Sequence, residues 1–227
     1  MATTGPITPD ANDAYVSCSD ATWTKCYDAT GTLVRAGSYL DYVDVGYGTD
    51  PKCMQAFFKF DTTSIPSGST VSAATLTVTC QNYNSLLVAG VLEVYPYIWS
   101  EDGESNVATA SFRSSTNLTS LYNSGNGLFA SHDATWGAWD TIGANTPHVL
   151  DTGPSAASGI VVNGTTRLML SFASNRTETQ PGNNCNFRLC SANHATSSYR
   201  PTLNVTYTAP AGPVEWAGLT VIRDVSS

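Results

Sequence analysis

Apolar and polar residues alternate in short runs along most of this chain, with Gly, Pro, Asn and Ser between them. Leu76, Val78 and Cys80 fall on one side of an extended segment and Thr75, Thr77 and Thr79 on the other. Leu168 and Leu170 alternate with Arg167, Met169 and Ser171, and Leu203, Val205 and Tyr207 with Thr202, Asn204 and Thr206. A period of two marks strands with one covered face. It predicts strands at residues 14–17, 32–36, 39–45, 54–61, 74–80, 91–99, 135–142, 166–172, 186–190 and 202–207. Residues 155–162, after Pro154, fit only a helical turn or two, because Gly159 and a β-branched run follow. The stretch 101–134 is weakly patterned and reads as a long excursion from one end, of the kind that is usually functional or mobile.

Half-polar strands separated by turns suit two antiparallel sheets packed face to face, so the expected class is an all-β sandwich. Composition agrees: charged residues are 12% of the 227, and the Lys and Glu that build soluble helices are scarce. An apolar content of 41% is enough for a real core and argues against disorder. The expected organisation is an N-terminal arm (1–12), one domain (13–207) and a linker with a C-terminal strand or arm (208–227). The linker Thr208-Ala209-Pro210-Ala211-Gly212-Pro213 is stiff and turn-prone. Beyond it, the apolar run around Trp216, Leu219, Val221 and Ile222 has two readings: an edge strand of its own domain, or a strand that pairs with a neighbouring chain.

The most specific block is Phe57-Phe58-Lys59-Phe60-Asp61, a Ser64-Ile65-Pro66-Ser67-Gly68 turn, and Ala74-Thr75-Leu76-Thr77-Val78. With Asp13-Ala14-Tyr15-Val16 near the start, Trp139-Asp140, and Tyr199-Arg200-Pro201-Thr202-Leu203-Asn204-Val205-Thr206-Tyr207 at the close, it resembles the DNRLRE-type jelly-roll domains, which are grouped with carbohydrate-binding modules. The resemblance implies an antiparallel two-sheet jelly roll with short terminal arms. Members occur on secreted bacterial proteins, as polysaccharide-binding modules and in phage structural proteins. Their motif residues form the fold and carry no ligand residues to specific positions. The six cysteines and the 101–134 stretch depart from the family pattern.

The net charge of −8 repels phosphate backbones, so nucleic-acid partners are not expected. No run reaches the ~18 apolar residues of a membrane span. The first ten residues lack the basic and apolar regions of a signal peptide. Either a signal was removed, or the protein leaves its cell without one, as virion components released by lysis do. Cys18, Cys26, Cys53, Cys80, Cys185 and Cys190 fit no zinc template. They read as disulfides or as buried thiols acting as small hydrophobes. Proximity favours Cys18–Cys26 and Cys185–Cys190, and Cys53–Cys80 if their strands run side by side.

No catalytic constellation is evident, and the expectation is a protein that is not an enzyme. His132, His148 and His194 lie in turn-like contexts, and Glu101, Asp102 and Glu104 read as a solvated turn rather than facing carboxylates. Asp41, Asp44 and Asp50, with Gly46 and Gly48, are candidate calcium ligands, though turns use Asp equally. Trp99, Tyr122 and Trp136 flank the irregular region and are candidate glycan platforms. Asn-x-Ser/Thr triplets occur at Asn117, Asn163, Asn175 and Asn204. Two functions remain. One is a virion structural protein, a phage capsid decoration or fibre subunit that assembles with other virion proteins or copies of itself through the apolar tail. The other is a secreted module that binds surface polysaccharide. The expected location is a virion surface or the extracellular space.

Overall fold

The computed structural model describes residues 1–10, 14–19, 33–36, 39–46, 52–83, 91–97, 113–124, 127–133, 145–179 and 185–211. In chain order the strands are β1 (Ala2–Thr3), β2 (Ala14–Ser19), β3 (Leu33–Ala36), β4 (Tyr39–Gly46), β5 (Lys52–Asp61), β6 (Thr70–Tyr83) and β7 (Val91–Pro96). There follow β8 (Ala130–Asp133), β9 (Pro147–Val149), β10 (Asp151–Thr152), β11 (Thr165–Phe172), β12 (Cys185–Cys190) and β13 (Thr202–Thr208). Two short helices, α1 (Ser115–Asn123) and α2 (Ala173–Thr177), and a 3-10 turn at Ser197–Tyr199 complete the described elements. All pairings are antiparallel, and the chain is the two-sheet β-sandwich its alternation predicts.

The first sheet runs β1-β13-β6-β9, with Leu203 opposite Leu76 and Thr77 opposite Val149. The second contains β10-β8-β7-β11-β5, with β2 and then β3 beyond β5 and β4-β12 joining at the start of β5. Strand β6 serves both sheets. Its residues 70–79 pair with β13 and β9, whereas Cys80, Asn82 and Tyr83 pair with β12 past a register shift. The chain crosses between sheets twice more. Ile7 bridges Leu203 and Pro9 bridges Phe60, while Leu150 is buried where β9 passes into β10.

Register assigns each residue of the second sheet to a face. Phe58 is opposite Leu168, and Leu170 opposite Val94, so these share one face with Phe60 and Phe172. All are fully or almost fully buried with Leu76, Val78, Leu203 and Val205 in the core, at about 1.5–3 kcal/mol for each large side chain. The other face carries Gln55, Phe57, Glu93, Tyr95, Arg167, Met169 and Ser171. It is covered as well: Tyr97 packs 6.4 Å from the Phe57 ring, and Gln55 bonds to Arg113 just before α1. Two covered faces explain why Phe57-Phe58 breaks alternation inside β5.

The turn from β5 into β6 is held by side chains. Asp61 Oδ1 accepts hydrogen bonds from the Thr63 N–H at 2.9 Å and its hydroxyl at 2.6 Å, which holds this exposed carboxyl below the usual carboxylate range. Gly68 has φ of +78°, a conformation that favours glycine.

Three cysteine expectations meet this geometry. Cys185 and Cys190 close opposite ends of β12, five residues apart in an extended strand and therefore about 16 Å apart, far beyond disulfide reach. Strands β5 and β6 are not neighbours, since β5 pairs with β2, β4 and β11, and β6 with β9, β12 and β13. Cys53 and Cys80 are accordingly separate buried thiols, as is Cys190. Cys26 lies outside the described residues.

One helix departs from expectation, and the short helical segment does not. Helix α1 lies inside the stretch predicted to be irregular. Residues 155–162 form successive turns, with the Gly159 N–H bonded to the Ser155 carbonyl at 2.7 Å. The predicted strand 135–142 and the acidic cluster Glu101, Asp102 and Glu104 lie outside the described residues.

Candidate functional site: the covered face of the second sheet

Little in the composition of α1 favours a helix: its sequence is Ser-Thr-Asn-Leu-Thr-Ser-Leu-Tyr-Asn. Ser120 bonds back to the Thr116 carbonyl at 3.0 Å, and Ser114 at the N-cap makes no side-chain cap bond. Tertiary contacts hold the helix. Leu118 is fully buried, and Leu121, one turn on, is half-buried against the core. The Gln55 amide donates to the Arg113 carbonyl at 2.7 Å and its oxygen accepts the Arg113 N–H at 2.8 Å, so a side chain continues the sheet's pattern into the approach to α1. Ser115 donates to Glu178 just past α2 at 2.8 Å.

Glu93 and Arg176 join the helices to the sheet. The Arg176 guanidinium donates to Glu93 through Nη2 at 2.7 Å and Nε at 3.1 Å, a two-point fork. The Tyr95 hydroxyl donates to Glu93 Oε2. The Tyr122 ring lies 3.9 Å from the Arg176 guanidinium, a cation–π contact on the far side of the pair. Burial, then the Glu93 charge and hydrogen bond, hold the Tyr95 phenol far above its ordinary range. The hydrogen bonds to Glu93 raise Arg176 above the usual guanidinium value. Glu93 thus accepts hydrogen bonds from three donor groups, two on Arg176 and one on Tyr95.

Beside this network a cleft of about 580 Å³ opens. Tyr97, Arg167 and Thr165 line it from the sheet, Leu121 from α1, and Ser158 and Val161 from the loop entering β11. The Arg113 guanidinium sits 4.6 Å from the Tyr97 ring centroid. Gly159 belongs to the wall, where a Cβ would stand 2.9 Å from the Ser155 carbonyl and 3.0 Å from Pro96. The loop is fixed by the β5–β6 turn. Thr62 Oγ1 lies 2.6 Å from the Val161 carbonyl and 3.1 Å from Thr166 Oγ1, and Thr166 Oγ1 accepts the Val161 N–H at 3.0 Å. With one proton per hydroxyl, Thr166 donates to Thr62, Thr62 donates to the Val161 carbonyl with the Gly164 carbonyl a second acceptor at 3.0 Å, and the Val161 N–H donates to Thr166, closing a ring. The lining combines the edge of a largely buried aromatic ring, aliphatic walls, two hydroxyls and a guanidinium, a mixed polar and apolar surface.

Of the glycan candidates, Tyr122 is 40% exposed on α1, but its ring contacts Arg176. Trp99 and Trp136 lie outside the described residues, as do Trp216, Leu219, Val221 and Ile222. Tyr97, Arg167 and Leu121 do not stand out in the sequence. Tyr97 sits within a predicted strand, where aromatics read as core. His194 is structural: its Nδ1 accepts the Thr196 N–H at 3.1 Å, its carbonyl accepts from Arg200 at 2.9 Å, and its ring packs on Tyr199. Of the candidate calcium ligands, Asp41 and Asp44 lie within the β4 ladder, where Asp44 is opposite Asn186. Asp50 and Gly48 are outside the described residues. Among the described residues no three His, Cys, Asp or Glu side chains converge for a metal. Asn175 is buried and bonded to Ser171, which removes it as a glycosylation acceptor.

Compared with models of known protein families and with curated protein sequences, the chain matches none.

Proposed function

We propose that the chain is a non-enzymatic structural protein of a virion surface, a phage capsid decoration or fibre subunit built on a jelly-roll scaffold and partnered by other virion proteins or copies of itself. The observation that supports this reading is the placement of its ends. Ala2 is paired with Tyr207, and Thr208 with Thr70, so both ends of the described chain leave from one end of the sandwich beside the Gly68 turn. A module tethered at one end presents the other outward, which is what a surface decoration requires. The resemblance to jelly-roll domains found in phage structural proteins points the same way. In this reading Trp216, Leu219, Val221 and Ile222 make the assembly contact. Removing residues 212–227, which leaves β13 intact, yields a folded protein that no longer incorporates into particles. Normal incorporation of that truncation refutes the tail assignment.

The cleft favours a second reading, a polysaccharide-binding module, whose ligand would lie against the mixed lining of Tyr97, Arg167, Ser158 and Thr165. Retardation in polysaccharide-containing gels separates the two. Retardation abolished by Tyr97→Ala or Arg167→Ala supports the module, and unretarded migration across the polysaccharide panel rejects it.

A further inference from the structure

Cys53 lies in β5 with its thiol fully buried. The position directly across from it on β2 is Cys18. The ladder between these strands runs from Ala14 opposite Phe57 to Ser19 opposite Lys52 without a register shift. Directly opposed residues of an antiparallel pair share a face, with Cα atoms about 4.5–5.5 Å apart. That range falls inside the ~4.4–6.8 Å that a disulfide spans. Other cysteines are placed less well. Cys185 faces Val45, which itself faces Cys53, so Cys185 stands two strand spacings away, about 9.5 Å. Cys80 pairs with Leu189 on a strand that does not border β5.

We propose that Cys18 and Cys53 form a cross-strand disulfide when the protein meets a small-molecule disulfide oxidant such as oxidised glutathione. One thiol loses its proton, and its sulfur attacks the oxidant, giving a mixed disulfide and one glutathione thiol. The second cysteine, also deprotonated, displaces the remaining glutathione. The chain gives up two protons and two electrons, and one oxidised glutathione becomes two reduced ones. The bond ties the β2–β3 hairpin to the strand that carries Gln55 and Phe57. It thereby fixes the edge of the sheet that supports the α1 layer. Because it closes a long loop, it constrains the unfolded chain more than the folded one.

The test uses the full chain, purified reduced and then incubated with oxidised glutathione. Remaining thiols are alkylated in denaturant, and the protein is digested without reductant for mass spectrometry. The expected result is a linked peptide pair holding Cys18 and Cys53, lighter by two hydrogens than the reduced pair. It is accompanied by a Tm increase of roughly 10 °C over the reduced protein. The increase is absent in Cys18→Ser and retained in Cys185→Ser. Recovery of Cys53 as an alkylated thiol after oxidation, or of Cys18 linked to Cys26, overturns the proposal. The linked-peptide readout is made on the unmutated chain, so it stands even if a serine variant fails to fold.

Discussion

Gln55 and Arg113 hold each other through two reciprocal hydrogen bonds of 2.7 and 2.8 Å, a side-chain amide pairing with a backbone amide. The Gln55 side chain is fully buried, so losing it strands both an N–H and a carbonyl of the segment entering α1. Gln55→Leu is expected to cost about 2–4 kcal/mol, read as a lower urea midpoint with an unchanged slope. Limited proteolysis should cut within 113–124 before global unfolding. Uniform proteolysis across the chain would show that α1 does not depend on this pair.

The hydroxyl ring of Thr62 and Thr166 ties the β5–β6 turn to the loop wall of the cleft. Replacing either residue with Val keeps the shape and removes a link, at about 1–3 kcal/mol. Since both substitutions break the same ring, the double variant should lose less than the sum of the two. A strictly additive double variant would contradict the ring assignment.

Arg176→Ala leaves the buried Glu93 carboxylate with Tyr95 as its remaining described donor, and is expected to destabilise by about 3 kcal/mol. The Arg176→Met, Glu93→Gln double variant should recover part of that loss, because no unpaired charge remains buried. Chemical denaturation of the unmutated chain, Arg176→Ala and the double variant measures both effects. The Tyr122 ring loses its cation in either Arg176 variant, so its near-UV circular dichroism should change in both.

Alkaline stability carries two signatures. Burial pushes the Cys190 thiol from 9.0 up to about 11, and burial with Glu93 pushes the Tyr95 phenol well above 10.0. For both groups the folded chain favours the protonated, neutral form. Their contributions are therefore complete below the unfolded values and decline as pH rises through the folded ones. Stability should fall from about pH 9 to pH 11 as the unfolded chain releases the Cys190 proton, and Tyr95 adds a further decline above about pH 10. Cys190→Ala flattens the first segment and Tyr95→Phe the second, measured as denaturation midpoints across the series.

The strands were legible in the sequence because alternation is a local property. Ala74 to Val78 and Leu203 to Val205 announce their faces without knowledge of what they pack on. The ends of strands and the covered face were less so. Helix α1 lacks strong helix formers, and only the spacing of Leu118, Leu121 and Tyr122 hints at it, because the sheet beneath supplies its stability. Tyr97 and Arg167 reach the cleft through register across β7 and β11, a relation between distant segments that no local pattern encodes. The Cys18–Cys26 and Cys185–Cys190 expectations weighed separation along the chain, whereas the ladder makes residues 18 and 53 opposite neighbours and holds 185 and 190 apart.

The pairing of Ala2 with Tyr207 also bears on how such a unit can be carried. Adjacent strands stand about 4.8 Å apart, so the first and last described strands enter and leave the sandwich almost through one point. A sandwich wired this way can be spliced into a surface loop of an unrelated host without prying that loop open. It can equally be cut at an exposed turn and rejoined through a short linker with its sheets undisturbed.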